Sequence, residues 1–111
     1  MATSTPKVLG QNNPAAITAT TLYVVPAATN VIGSTLTICN QAAVDATYRV
    51  AIRVAGTILD PKQYVAYDAT VFANDFISLT FGWTLAATDI VTVYASTTTL
   101  SFNLFGTELV A

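Results

Sequence analysis

Histidine is absent from this chain of 111 residues, and cysteine and tryptophan occur once each. Without an imidazole the commonest general base is missing, together with Ser-His and Cys-His couples and nearly all zinc chemistry. A single cysteine, Cys39, cannot close a disulfide within the chain. The apolar alternation around it reads as that of a packed, reduced side chain rather than a nucleophile. Charge is equally scarce. Asp, Glu, Lys and Arg make up 9% of the residues, against about 25% in an average soluble protein. Four Lys and Arg against six Asp and Glu leave no basic stripe to neutralise phosphates, which excludes a nucleic-acid binder. No apolar run approaches the ~20 residues of a membrane-spanning helix, so no membrane span is expected. The opening MATSTPKVLGQNNP lacks the apolar centre of a secretory leader. Walker loops, dinucleotide fingerprints and N-glycosylation sequons do not occur.

What the chain does contain is apolar side chain, 53% of all residues, enough for one core in one domain. Thr, Ser, Asn and Gln must then form most of the polar surface. Such faces bury against other protein without desolvating many charges, so a homo-oligomer is expected, with a trimer among the states allowed. Beta-branched and aromatic residues at period two, broken at short intervals by turn residues, predict strands over 7–11, 21–25, 31–40, 47–54, 63–67, 76–85, 90–95 and 100–109. The fold class is all-β: a single antiparallel β-sandwich or jelly-roll-like domain of about eight strands over 17–111. Residues 1–16, with Pro6 and Pro14 and little core-like content, read as an N-terminal arm reaching a neighbouring subunit. Pro14, Pro26 and Pro61 should mark strand ends, and Ala73-Asn74-Asp75 and Ala87-Thr88-Asp89 corners. Gly82 suggests a bulge or close approach inside its strand.

Alternation assigns the faces. Leu36, Ile38, Tyr48, Val50, Ile52, Val54, Ile77, Leu79, Phe81, Trp83, Val91, Val93, Ala95, Leu100, Phe102 and Leu104 are the predicted core. The stretch TLTICNQAAVDATYRVAIRVAG reads as two neighbouring antiparallel strands joined by QAAVDA, with Arg49, Ala51 and Arg53 outside. The same count puts Tyr23, Val25, Tyr94 and Phe105 on outer faces. Arg49, Arg53, Tyr23, Tyr94 and Phe105 are therefore the candidate interface residues.

Catalytic and metal sites find little support. Asp60, Asp68, Asp75 and Asp89 fall at predicted turns or strand ends, where aspartate bonds local backbone, and no DxDxDG calcium loop occurs. No catalytic residue, metal ligand or cofactor is assigned, and the chain is read as a non-enzyme. Asn40 is expected to bond the turn that follows it. Tyr64 and Tyr67, beside Asp68, suggest a sugar-stacking surface, but three positions apart in a regular strand they face opposite sides. Opposite faces, one core and one interface, are the expectation.

The order TLYVVPAATNVIGSTLTICNQ, TYRVAIRVAG, ANDFISLTFGWTLAATDIVTVYAS and LSFNLFGTEL resembles a group of small virion structural proteins of tailed bacteriophages. The shared pattern is a proline corner, a strand ending in Asn, a partner strand ending in Gly, a Leu-x-x-x-Asp turn and a final Gly-x-Glu strand. Pro26, Asn40, Gly56, Leu85, Asp89, Gly106 and Glu108 hold those places. The resemblance implies a non-enzymatic β-sandwich of the virion, assembled in the host cytoplasm and associated with the tail as a fibre, baseplate or collar component. Its partners would be copies of itself and other virion proteins. Capsid decoration is the first alternative. A module binding a host-surface glycan, with exposed aromatics beside carboxylates in a concave patch, is the second.

Overall fold

The computed structural model describes residues 3–80 and 82–110. Among the described residues nine strands form: β1 (Thr3–Asn12), β2 (Thr20–Val24), β3 (Thr29–Asn40), β4 (Ala46–Arg53), β5 (Tyr64–Val71), β6 (Phe76–Leu79), β7 (Trp83–Leu85), β8 (Ile90–Ala95) and β9 (Leu100–Val110). Two short 3-10 turns, Val54–Gly56 and Pro61–Gln63, lie between β4 and β5. One sheet has the order β1-β9-β3-β6, with β7 also on β3, and the other the order β2-β8-β4-β5. Every pairing between these strands is antiparallel.

The topology is that of a long ribbon folded on itself and rolled. β1 pairs with β9, β2 with β8, β3 with β6 and β7, and β4 with β5, so the pairs nest outward from the β4-β5 connection. Rolling that ribbon brings β9 beside β3 and β8 beside β4, which completes the two sheets of a jelly roll. The β-sandwich expected from the sequence is therefore the observed class.

Inward residues of both sheets make one core. Leu36, Ile38, Leu100, Phe102 and Leu104 from the first sheet face Tyr48, Val50, Val91, Val93 and Ala95 from the second, all nearly or fully buried. Burial of side chains of this size contributes about 1.5–3 kcal/mol each, before the entropy of ordering them. Trp83 is buried, and Ile52, Ile77 and Leu79 pack against the cluster at its margin. Phe81 lies outside the described residues. Gly33 and Gly106 face each other across β3 and β9. A Cβ on Gly33 would stand 2.5 Å from Trp83 Cβ and one on Gly106 2.7 Å from the Ile32 carbonyl oxygen, so only glycine lets β3 approach Trp83 and β9 approach β3 there.

Several expectations need correction. β3 and β4 are not neighbours. They belong to opposite sheets, and residues 41–45 carry the chain from one to the other. Alternation along each strand is indifferent to this choice, because both arrangements bury the same residues. Cys39 is exposed: in a strand that buries Ile38 and Asn40 on either side, it must point outward. Val54 is exposed because β4 ends at Arg53. Tyr23 and Val25 are buried. The register between β2 and β8 shifts between Thr21 and Tyr23, setting Tyr23 opposite the buried Val91, and one extra residue turns everything after it to the other face. Ala51 is on the outer face as expected yet is buried, on the side where the segment after β4 turns back. The run 76–85 is two strands, with Gly82 between β6 and β7, where an added Cβ would meet nothing within 4 Å. Residues 3–12 of the expected arm form β1, paired along β9 of the same chain.

Candidate functional site: tyrosines and an arginine beside a groove

The outer surface of β4, β5 and β8 carries a cluster of Tyr64, Tyr67, Tyr94, Arg49 and Asp68. In β5 the register opposite β4 runs Tyr64↔Ala51, Ala66↔Val50, Ala69↔Tyr48. One extra residue lies between the first two pairs and another between the last two. These two bulges change the parity twice. Ala66 and Ala69 pack on the core, while Tyr64, Tyr67 and Asp68 share the outer side, and Tyr67 and Asp68 both stand opposite Arg49. Asp68 accommodates the bulge with φ 52, a conformation Asp tolerates better than most residues. The expectation that Tyr64 and Tyr67 face opposite sides fails for this reason. Their rings meet edge to face, 4.9 Å between centroids at 87°.

Arg49 is held from three directions. Its guanidinium lies 4.1 Å from the Tyr67 ring centre and 4.3 Å from that of Tyr94, its direct partner on β8. Nε and Nη2 donate to the two carboxylate oxygens of Asp68 at 2.7 and 3.2 Å. The hydrogen bond from Arg49 keeps Asp68 below the usual carboxylate range, against a smaller opposing effect of desolvation. The arginine stays charged throughout, its pKa raised first by the same bond.

Next to this cluster, Leu59, Asp60, Pro61, Tyr64 and Tyr67 line an open groove of about 610 Å³. Its wall is a capped turn. Asp60 Oδ1 accepts from the Lys62 backbone N–H, and the Asp60 N–H donates to Gln63 Oε1, which is a capping box with Pro61 at the first helical position. Gln63 is buried and its Nε2 donates to Thr57 Oγ1 and the Ile58 carbonyl. Asp60 is thus presented at the groove by a turn whose polar groups are tied down.

The other candidates lie elsewhere. Arg53 donates from Nε to the Thr57 carbonyl at 2.8 Å and from Nη2 to that of Gly56 at 3.2 Å. It braces the segment leaving β4. Tyr23 is inside, its hydroxyl donating to Glu108 Oε2 across the two sheets. Burial first, and then the Glu108 carboxylate, raise the Tyr23 pKa. Glu108 is held low by that bond and, more weakly, by Lys7 at 3.2 Å. Phe105 is on the opposite outer surface, beside Val8 of β1. Asn40, 2% exposed, donates from Nδ2 to the Val44, Val71 and Phe72 carbonyls and accepts at Oδ1 from the Ala42 N–H and the Thr99 hydroxyl. The expected bonding to the turn is there, as two of the five, to Val44 and Ala42. Asp75 accepts from its neighbour Phe76 N–H, and Asp89 accepts from the Ala55 and Ala86 N–H groups. Among the described residues no three His, Cys, Asp or Glu side chains gather as a metal site would require. No described helix is long and apolar enough to cross a membrane.

The class defined by these features is a jelly-roll β-sandwich with an aromatic and arginine cluster on one outer surface. No protein family, curated protein or solved structure matches the chain.

Proposed function

We propose that this chain is a non-enzymatic structural subunit that self-associates through the outer face of its β1-β9-β3-β6 sheet, and that its setting is the virion of a tailed bacteriophage, at the tail. The observation that carries the assembly reading is a face without charge. Across the sheet the outward rows read Gln11, Asn103, Thr37, Ser78; then Val8, Phe105, Thr35; then Ser101, Cys39, Phe76. No Asp, Glu, Lys or Arg stands in any of them, and Val8 and Phe76 are well exposed. Hydroxyl and amide side chains both donate and accept, so the face complements an identical face in a two-fold contact. The long strands β1, β9 and β3 and the four-residue β6, ~4.8 Å apart at ~3.3 Å per residue, present a plate of roughly 600 Å², on the order of the ~800 Å² per partner of a stable interface. A second copy is therefore the occupant.

The virion setting rests on the sequence resemblance. The jelly roll supports it at the level of analogy, since viral capsid domains and lectins share this architecture and fold alone does not assign function. Light scattering tests the assembly: the purified protein should have at least twice the chain mass, and Phe105→Lys should reduce it to the monomer. A wild-type monomer at all concentrations, or an oligomer indifferent to Phe105→Lys, overturns the reading. Immunogold labelling of virions tests the location, and particles on the capsid lattice would instead make the protein a decoration subunit.

A further inference from the structure

The geometry points to the groove between Pro61 and Tyr67 as a binding site for a neutral saccharide, a role beyond assembly. Tyr67 is 58% exposed although its ring is fixed in place by Arg49 behind it and Tyr64 beside it. An aromatic that stays in water while its neighbours hold its orientation is a platform prepared for a ligand, because ordering it in advance removes a cost of binding. The first bulge of β5, between Tyr64 and Ala66, is what builds the platform. A regular strand would have separated the two tyrosines.

Charge and hydrogen-bonding capacity select the ligand. Asp68 neutralises the cluster's cation, Arg49, and the charged group lining the groove is Asp60. Phosphates, sulfates and acidic sugars would meet like charge there. A carboxylate only accepts hydrogen bonds, so Asp60 asks for O–H or N–H donors. A pyranose supplies several hydroxyl donors around a ring whose C–H face is apolar and flat enough to lie on a tyrosine, with Leu59 and Pro61 completing the apolar wall. A proline-rich peptide fits less well. Its backbone presents carbonyls to an acceptor, and it docks across successive aromatic ridges, whereas rings at 87° offer one face and one edge. The groove is on the second sheet and the proposed association face is on the first, so both are usable at once, and either reading can fail without the other.

Affinity electrophoresis of the intact protein through gels containing glucan, mannan, galactan or xylan tests the proposal, with alginate as the anionic control and amide shift mapping as the second readout. At least one neutral polymer should retard the protein, and shifts on adding its monosaccharide should centre on residues 59–67. Tyr67→Ala should weaken retardation about tenfold, the loss expected for an aromatic anchor, and Tyr67→Phe, which keeps the ring, should preserve most of it. Asp60→Asn, which retains the cap, should weaken binding with the fold intact. No retardation by any of the four neutral polymers overturns the proposal. So does retardation by alginate alone, retardation unaffected by Tyr67→Ala and Asp60→Asn, or shifts at the groove with a proline decapeptide and none with sugars.

Discussion

Glu108 shows how one residue ties the two sheets together. Its carboxylate accepts from Tyr23 of the opposite sheet and pairs with Lys7 of β1, so β2, β9 and β1 meet on one acidic group that is mostly buried. The Tyr23 bond holds its pKa below the unfolded value of about 4.3. Stability from a depressed carboxylate is present above the unfolded pKa and lost as pH falls through the folded one. Urea unfolding should therefore show stability declining as pH falls below the unfolded carboxylate value of about 4.3. Asp68 is also held low and adds to a decline on the acid side, so variants must separate the two. Tyr23→Phe should cost about 1–2 kcal/mol at neutral pH and flatten the acid decline. An unchanged decline would mean that Glu108 is not its source. None of this was readable from the sequence, which placed Tyr23 outside, because the bulge in β2 that turns it inward has no glycine to mark it.

At the scale of elements, the jelly roll depends on its crossovers. Residues 41–45 span the two sheets, and Asn40 staples that crossing to the end of β5 and to Thr99 before β9. Asn40→Ala would leave buried carbonyls and an N–H unpaired and should lower stability by about 2–3 kcal/mol in thermal or urea unfolding. A loss under about 1 kcal/mol would show that water replaces the amide. Asn40, Gly56, Asp89 and Gly106, positions singled out by the resemblance, each have a local structural role. They supply, in that order, a staple, a left-handed turn at φ 69, a two-N–H anchor and a close strand approach. Strand existence was legible from alternation in every case except the break at Gly82. Bulges were not, and the candidate site depends on them. Tyr64 and Tyr67 can be picked from the sequence, but their meeting rests on the register shift between Tyr64 and Ala66, and the place of Asp68 beside them on the next shift, both set by the pairing with β4.

For the whole molecule, nested pairing puts the two terminal strands side by side. The contacts that close the fold are remote in sequence, so refolding should fall in the millisecond-to-second range of non-local β topologies, measurable by stopped-flow fluorescence of Trp83. β9 lies between β1 and β3, whereas β1 is an edge strand whose buried residue is Leu9. Removing residues 3–12 should leave a destabilised but folded sandwich by circular dichroism, while removing 100–110 should leave none. If both truncations unfold, β1 contributes more than its burial implies. Pro6 and Lys7 on β1 interrupt the free edge and discourage strand addition there, which leaves the charge-free face, rather than the edge, as the surface for association.

Composition and period-two patterning determined the all-β class, most of the core and the scarcity of charge, because each depends on side-chain chemistry and on neighbours along one strand. Which strands share a sheet, and which side a residue takes after a bulge, was decided only in three dimensions. A one-residue shift in pairing reverses every later side chain at little local cost, and it is settled by the partner strand. The arginine in TYRVAIR illustrates both halves. Its outward position followed from alternation, and its seat between Tyr67, Tyr94 and Asp68 came from β5 and β8.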